Sequence, residues 1–166
     1  MPDGAYRRLE AGEIEWATAL ACSAFPEFAA RIRCFGVDWL GRLFATDAAR
    51  VVDGEEHVLL IEPGTGEALE IPVSVREFHE VELVEQADAA VALSFFHQWL
   101  ANGGQRPDQS QCVGYKVPLF LGGTDDLPNL ELTDMDVYWT IAAQVLAKIR
   151  KLPLGTPIAN VSIDDA

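Results

Sequence analysis

The sequence is poor in the residues that usually build an active site. It has three cysteines and three histidines among 166 residues, and no two cysteines form a CxxC pair. A zinc site needs four ligands at recognisable spacing, and these are missing, so we expect no metal and no other cofactor. No serine lies in a GxSxG context, so a nucleophile of the α/β-hydrolase type is not indicated. We therefore predict no catalytic residues and no enzymatic activity.

Long apolar runs and positive charges are also scarce. No stretch approaches the roughly 20 apolar residues that cross a bilayer, and the first residues, Met1-Pro2-Asp3-Gly4, lack the basic and apolar regions of a signal peptide. Lys and Arg number only 12, which argues against binding to nucleic acid or to anionic membranes. We expect a soluble, cytoplasmic protein whose cysteines remain free thiols.

The chain is rich in negative charge and yet has the composition of a folded protein. Asp and Glu number 26, which gives a formal net charge of −14, whereas 49% of the residues are hydrophobic. A chain of this length buries roughly two thirds of its unfolded surface, enough for a core without cross-links. Because opposite charges steer encounter, we predict a protein that acts by binding a basic partner.

Hydrophobic periodicity in the first half changes from helical to extended. Residues 10–33 predict a helix that breaks at Pro26 and resumes as a short helix through Ile32. Residues 37–45 predict a strand with a bend at Gly41. Asp53-Gly54 then predicts a turn, and two short strands flank Pro63-Gly64-Thr65-Gly66, a pattern typical of a hairpin.

The second half returns mainly to helical periodicity. Ser74 and Glu77 predict a capping box, and the apolar spacing over 88–100 predicts one continuous helix. Strands are predicted at 112–117 and 130–132, and a final helix is predicted to begin at an N-cap, Thr133. The fold class is therefore α+β, a mostly antiparallel sheet packed with helices in a single compact domain. We divide it into an N-terminal helical segment (1–34), an α+β domain (35–160) and a C-terminal tail (161–166).

The order of landmarks after Val58 resembles that of a known family. The stretches that carry the resemblance are LLIEPGTGE from Leu59, SVREF from Ser74, GYKVPLFLGG from Gly114, Asn129-Leu130, and VYWTIAAQV from Val137. Over about residues 35–158 they are similar to the C-terminal domain of the Tdi family of type VI secretion immunity proteins. The resemblance implies a protein that protects a bacterium by binding an antibacterial toxin, which for the named type is a DNase.

The candidate partner-binding residues are one tryptophan and two groups of carboxylates. Trp39 is predicted on a possible edge strand, where it either packs in the core or is exposed as an interface anchor. The carboxylates lie on predicted loops or turns, which can project into a partner; they are Asp53, Glu55 and Glu56, and Asp125 and Asp126. A toxin that binds DNA presents a basic cleft, and acidic loops would occupy such a cleft much as phosphates do. We therefore hypothesise that the protein occludes the active site of its toxin.

Other functions remain open on the residues alone. An adaptor or regulatory module that binds another protein would have the same composition. A small hydrolase or transferase would be indicated by a deep pocket that holds His79 or His97 beside a carboxylate. Gly122-Gly123 could be taken for a phosphate-binding loop, but the carboxylates at 125 and 126 would repel a phosphate, so we interpret it as a structural turn.

Overall fold

Two antiparallel sheets form the framework of the computed structural model, which describes residues 4–156. The larger sheet has five strands in chain order: β1 (Tyr6–Arg8), β2 (Ile32–Asp38), β3 (Leu43–Val52), β4 (Glu55–Glu62) and β5 (Glu67–Ser74). The smaller sheet pairs β6 (Gln111–Tyr115) with β7 (Leu130–Asp134). The predicted α+β class is confirmed, whereas the predicted tail at 161–166 lies outside the described residues.

Helices cover both faces of the larger sheet. The helices α1 (Ile14–Ala24) and α6 (Met135–Ile149) lie on one face. The other face is covered by a broken helical run: α2 (Val75–Glu77), a π-helix (Phe78–Glu82), α3 (Leu83–Glu85), α4 (Ala87–Val91) and α5 (Leu93–Ala101). The core therefore has two parts, one on each side of the sheet.

The sequence of β4 explains this three-layer arrangement. Successive side chains of a strand point to opposite faces. Leu59 and Ile61 pack with α1 and α6, and Val58 and Leu60 pack with the helical run that contains Phe78. The four side chains from Val58 to Ile61 are at least 94% buried. This uninterrupted apolar run therefore marks a strand that is covered on both sides.

Two local predictions are confirmed by backbone geometry. Val52 pairs with Glu55, so Asp53-Gly54 is a two-residue hairpin loop. Both loop residues have positive φ, 52° and 82°, as a type I′ turn requires. Ser74 and Glu77 form the capping box, since each side chain accepts a hydrogen bond from the other's backbone N–H.

The prediction of one bent strand over 37–45 is wrong. The chain reverses there, because β2 ends at Asp38 and β3 begins at Leu43. The Asp38 carboxylate accepts hydrogen bonds from the backbone N–H groups of Leu40 and Arg42 and so closes the turn. Gly41, with a φ of 72°, supplies the left-handed residue for this reversal.

The N-terminal segment is less helical than its periodicity predicts. Only a 3₁₀ turn (Pro26–Phe28) follows α1, and Ile32 begins β2 instead of extending a second helix. The described part of this segment, residues 4–34, therefore also contributes β1 and the start of β2 to the larger sheet, and α1 packs against α6 in the same core as that sheet.

The predicted helix over 88–100 is interrupted, and the last helix is capped one residue later than predicted. Ala92 has a φ of 51°, in the left-handed region, and separates α4 from α5. The N-cap of α6 is Asp134, whose carboxylate accepts from the N–H groups of Asp136 and Val137. Thr133 instead lies in β7, where it pairs with Cys112.

Candidate functional site

The two predicted groups of carboxylates lie at opposite ends of the larger sheet. Asp53, Glu55 and Glu56 are exposed at the β3–β4 turn. Asp125 and Asp126 are exposed on a loop whose start packs against the β4–β5 turn, where the Leu119 N–H donates to the Gly64 carbonyl over 2.9 Å. The eight residues of β4 separate the two ends, a distance of roughly 25 Å. The structure thus does not bring these groups together into one cluster.

An open groove lies beside the β3–β4 turn, and we call it the hairpin groove. Its volume is about 600 Å³, and charged side chains of both signs line it: Glu55, Glu56, Glu80, Arg8 and Arg76. His79, on the π-helix, also lines this groove. Two of the predicted partner-binding carboxylates therefore border a concave surface.

His79 does not form an acid–base pair with a carboxylate. Its Nδ1 lies 2.7 Å from the Val75 carbonyl oxygen, which can only accept, so Nδ1 carries the proton. Its Nε2 lies 2.8 Å from the hydroxyl of Tyr6. Burial lowers the pKa of His79 from its ordinary value, and the hydrogen bond to Val75 only partly opposes this. The ring is therefore hydrogen-bonded to a hydroxyl and a carbonyl, and not to the carboxylate that a hydrolase site would place beside it.

Trp39 belongs to the core and not to an exposed edge. Its side chain is at most 1% exposed, and its indole N–H donates to the Val91 carbonyl over 3.0 Å. Phe95 and Phe96 pack on it, with ring centroids 5.6 and 5.1 Å away. Of the two predicted placements of Trp39, the structure shows the one in the core.

The loop that carries Asp125 and Asp126 is held by several side-chain hydrogen bonds. The hydroxyl of Tyr115 donates to Asp125 over 2.7 Å. Asp126 accepts from the hydroxyl of Thr124 over 2.9 Å. The side-chain amide of Asn129 spans the loop, donating to the Val117 and Thr124 carbonyls over 2.9 and 2.8 Å. These carboxylates therefore have defined positions although they are exposed.

A largely buried arginine, Arg42, lies close to this loop, and no sequence pattern indicated its role. Arg42 donates to Asp38 through Nε over 2.6 Å and to Glu62 through Nη1 over 2.8 Å. Burial raises the pKa of Asp38 to about 6, in opposition to the effect of Arg42. Burial acts to lower the pKa of Arg42, but its two carboxylate partners outweigh burial and raise it. The guanidinium is thus permanently charged and joins the β2–β3 turn to the end of β4.

Arg42 and Glu62 line a small cleft of about 180 Å³, which we call the acidic cleft. The β4–β5 turn, the Ala92 break, β6 and α6 all contribute to its wall. Carboxylates, aromatic rings and aliphatic side chains share its lining, the main ones being Glu62, Asp125, Phe95, Tyr115, Tyr138 and Leu119. Asp125 is the one predicted partner-binding residue in this lining. The others come from separate elements, so only their assembly in the fold identifies them.

Neither surface has the composition of a metal site. Within the described range, 4–156, no group of three or more His, Cys, Asp and Glu side chains is placed to hold a metal ion. No helix in that part of the chain is long and apolar enough to cross a membrane.

Comparison with known proteins identifies the segment that builds much of the acidic cleft. Residues 74–146 match the family model described as T6SS immunity protein Tdi1, C-terminal. The fold resembles the crystal structure of Atu4351 from Agrobacterium tumefaciens, with a TM-score of 0.56 and 14% sequence identity. That alignment covers 85% of this chain and 67% of the other. A search of curated proteins gives no match. Residues 74–146, a little under half of the chain, are thus similar to the C-terminal domain of the type VI secretion immunity protein Tdi1.

Proposed function

We propose that this protein neutralises a cognate antibacterial toxin by binding it stoichiometrically in the cytoplasm of the producing cell. The toxin is a nuclease with a basic cleft, and the immunity protein occludes that cleft. The observation that carries the proposal is the match of residues 74–146 to an immunity family of the type VI secretion system.

The charge of the molecule supports a basic partner. The net charge is −14, and exposed carboxylates occupy both ends of the larger sheet. A nuclease must present positive charge to bind a polyanion, so the two proteins attract each other over a distance. Such complementarity mainly raises the association rate, whereas buried contacts set the lifetime of the complex.

The thiols are compatible with a reducing compartment. The three cysteines of the chain, Cys22, Cys34 and Cys112, all lie in the described part and are free. Burial raises the pKa of Cys34 to about 12 and also raises that of Cys112. Both thiols are therefore protonated and unreactive at neutral pH, which suits a structural role.

Co-expression with the product of the neighbouring toxin gene tests this function. We expect growth to be restored, and we expect the purified toxin to lose its nuclease activity at one equivalent of this protein. A non-cognate nuclease toxin, assayed in parallel, should keep its activity. If the cognate toxin stays active in the presence of excess folded protein and no complex elutes from a sizing column, the proposal is wrong.

A further inference from the structure

We propose that the acidic cleft is a socket for one basic side chain, lysine or arginine, of the partner protein. This inference rests on the proposed function, and it names the part of the surface that makes the central contact. The argument depends on the size, the charge and the wall of the cleft.

The size of the cleft favours a side chain over a metabolite. Pockets that hold free small-molecule ligands usually have volumes of about 300–1,000 Å³, whereas this cleft measures about 180 Å³. A space of that size accepts one extended side chain. The hairpin groove, at about 600 Å³, is larger than one side chain needs.

The charge of the cleft favours a cation. Two carboxylates, those of Glu62 and Asp125, line the cleft, and the guanidinium of Arg42 opposes them. Arg42 is occupied by Asp38 at 2.6 Å and by Glu62 at 2.8 Å. With one positive and two negative groups in the lining, the net charge of the cleft is −1. Glu62 and Asp125 line the cleft, so a cation that enters it meets an excess of negative charge.

The wall of the cleft suits the stem of a long basic side chain. Phe95, Tyr115 and Tyr138 line it together with Leu40 and Leu119. Aromatic faces attract cations by about 0.5–2 kcal/mol, more when water is excluded. Lysine and arginine also carry an apolar stem that packs well on such surfaces. Arginine is enriched among the residues that dominate binding energy at interfaces.

The carboxylates are already positioned before any partner arrives. The hydroxyl of Tyr115 holds Asp125 over 2.7 Å, and Glu62 accepts from Arg42 and, over 3.0 Å, from the hydroxyl of Thr65. Binding a cation therefore requires little reordering of the site, and a preformed site loses less free energy on binding. Six lining residues, among them Asp125 and Tyr138, also lie in the segment that matches the immunity family.

A blocked amino acid tests the socket without the toxin. We would titrate the ¹⁵N-labelled protein with N-acetyl-arginine methylamide and, as a neutral isostere, with N-acetyl-citrulline methylamide. We expect saturable shifts of the Gly64 and Thr65 amide signals with the arginine compound, weaker by about tenfold in Asp125→Asn and unchanged in Asp53→Asn. Equal shifts with the citrulline compound, or equal affinity in Asp125→Asn, would overturn the proposal. So would the absence of saturable shifts.

The toxin provides a second readout that separates this inference from the proposed function. If the wild-type protein binds the toxin, Asp125→Asn should raise the dissociation rate about tenfold and Asp53→Asn should leave it within about twofold. Phe95→Leu, which keeps an apolar side chain and removes the ring, should also raise it. A wild-type complex that is unaffected by both cleft variants excludes the socket and leaves the immunity function intact. Failure of the wild-type protein to bind excludes the function itself.

Discussion

At the scale of single residues, Arg42 connects elements that are distant in sequence. It lies after the β2–β3 turn and reaches Asp38, Glu62 at the end of β4, and the carbonyl of Ala90 in α4. The side chain of Asp38 is fully buried, and a buried charge is stable only when it is paired and hydrogen-bonded. Arg42 therefore stabilises the fold and also shapes the acidic cleft.

Replacing Arg42 by leucine should lower the free energy of unfolding by about 3–5 kcal/mol, because the buried Asp38 carboxyl loses its partner and must either remain an unpaired charge or take up a proton. The double variant Arg42→Leu/Asp38→Asn removes that charge, and it should recover part of the loss. Urea unfolding at pH 7 measures both. A loss below about 1 kcal/mol in the single variant would show that Arg42 does not compensate a buried charge.

His79 predicts a pH dependence of stability. Its folded-state pKa is lowered by burial, so the folded protein resists a proton that the unfolded chain takes up below about pH 6.5. The contribution of neutral His79 to the free energy of unfolding is complete above about pH 6.5. It is lost as the pH falls from there through the lowered folded-state pKa, by up to about 1.4 kcal/mol per pH unit. Unfolding free energies at pH 7.5 and 5.5 should therefore differ less in His79→Phe than in the wild type. An equal difference would assign the acid sensitivity to other groups.

At the scale of elements, the sequence is informative where a local rule decides the structure. Asp53-Gly54 and the Ser74–Glu77 box were predicted, since turn and cap preferences depend on neighbouring residues. The break at Ala92 was not, because alanine favours helices and no local rule predicts its positive φ of 51°. The acidic cleft was missed for a similar reason. Glu62, Phe95 and Tyr115 meet only through the fold, so spacing in sequence cannot reveal them.

The turn that leads into the Asp125 loop contains two adjacent glycines, Gly122 and Gly123, which should tolerate substitution by alanine to different degrees. A Cβ added at Gly123 would overlap the Val117 carbonyl oxygen, whereas one at Gly122 would meet no atom within 4 Å. Gly122→Ala therefore costs only the strain of its φ of 86°, about 1–2 kcal/mol. Gly123→Ala must displace backbone and should cost more in chemical unfolding, and it should also weaken binding of the blocked arginine. If Gly122→Ala proves the more destabilising of the two, the described turn geometry is wrong.

At the scale of the whole molecule, the negative charge is divided between two ends with different surroundings. The β3–β4 turn carries Asp53, Glu55 and Glu56 beside a wide groove, and the other end carries Asp125 beside a small, partly aromatic cleft. Charges interact within about 8 Å at physiological salt and within about 30 Å at 0.01 M. The roughly 25 Å between the ends means that the hairpin charges act on a partner at the cleft only when salt is low.

Salt therefore separates the roles of the two ends in toxin binding. Reversing Asp53, Glu55 and Glu56 to lysine should slow association at 0.01 M salt, have little effect at 0.15 M, and leave the dissociation rate unchanged. Reversing Asp125 and Asp126 should slow association and also raise the dissociation rate at both salt concentrations, because it acts at the docked surface. Stopped-flow association and competitor-chase dissociation measure the two rates for both variants. If the hairpin reversal raises the dissociation rate more than the cleft reversal does, the partner docks on the hairpin groove.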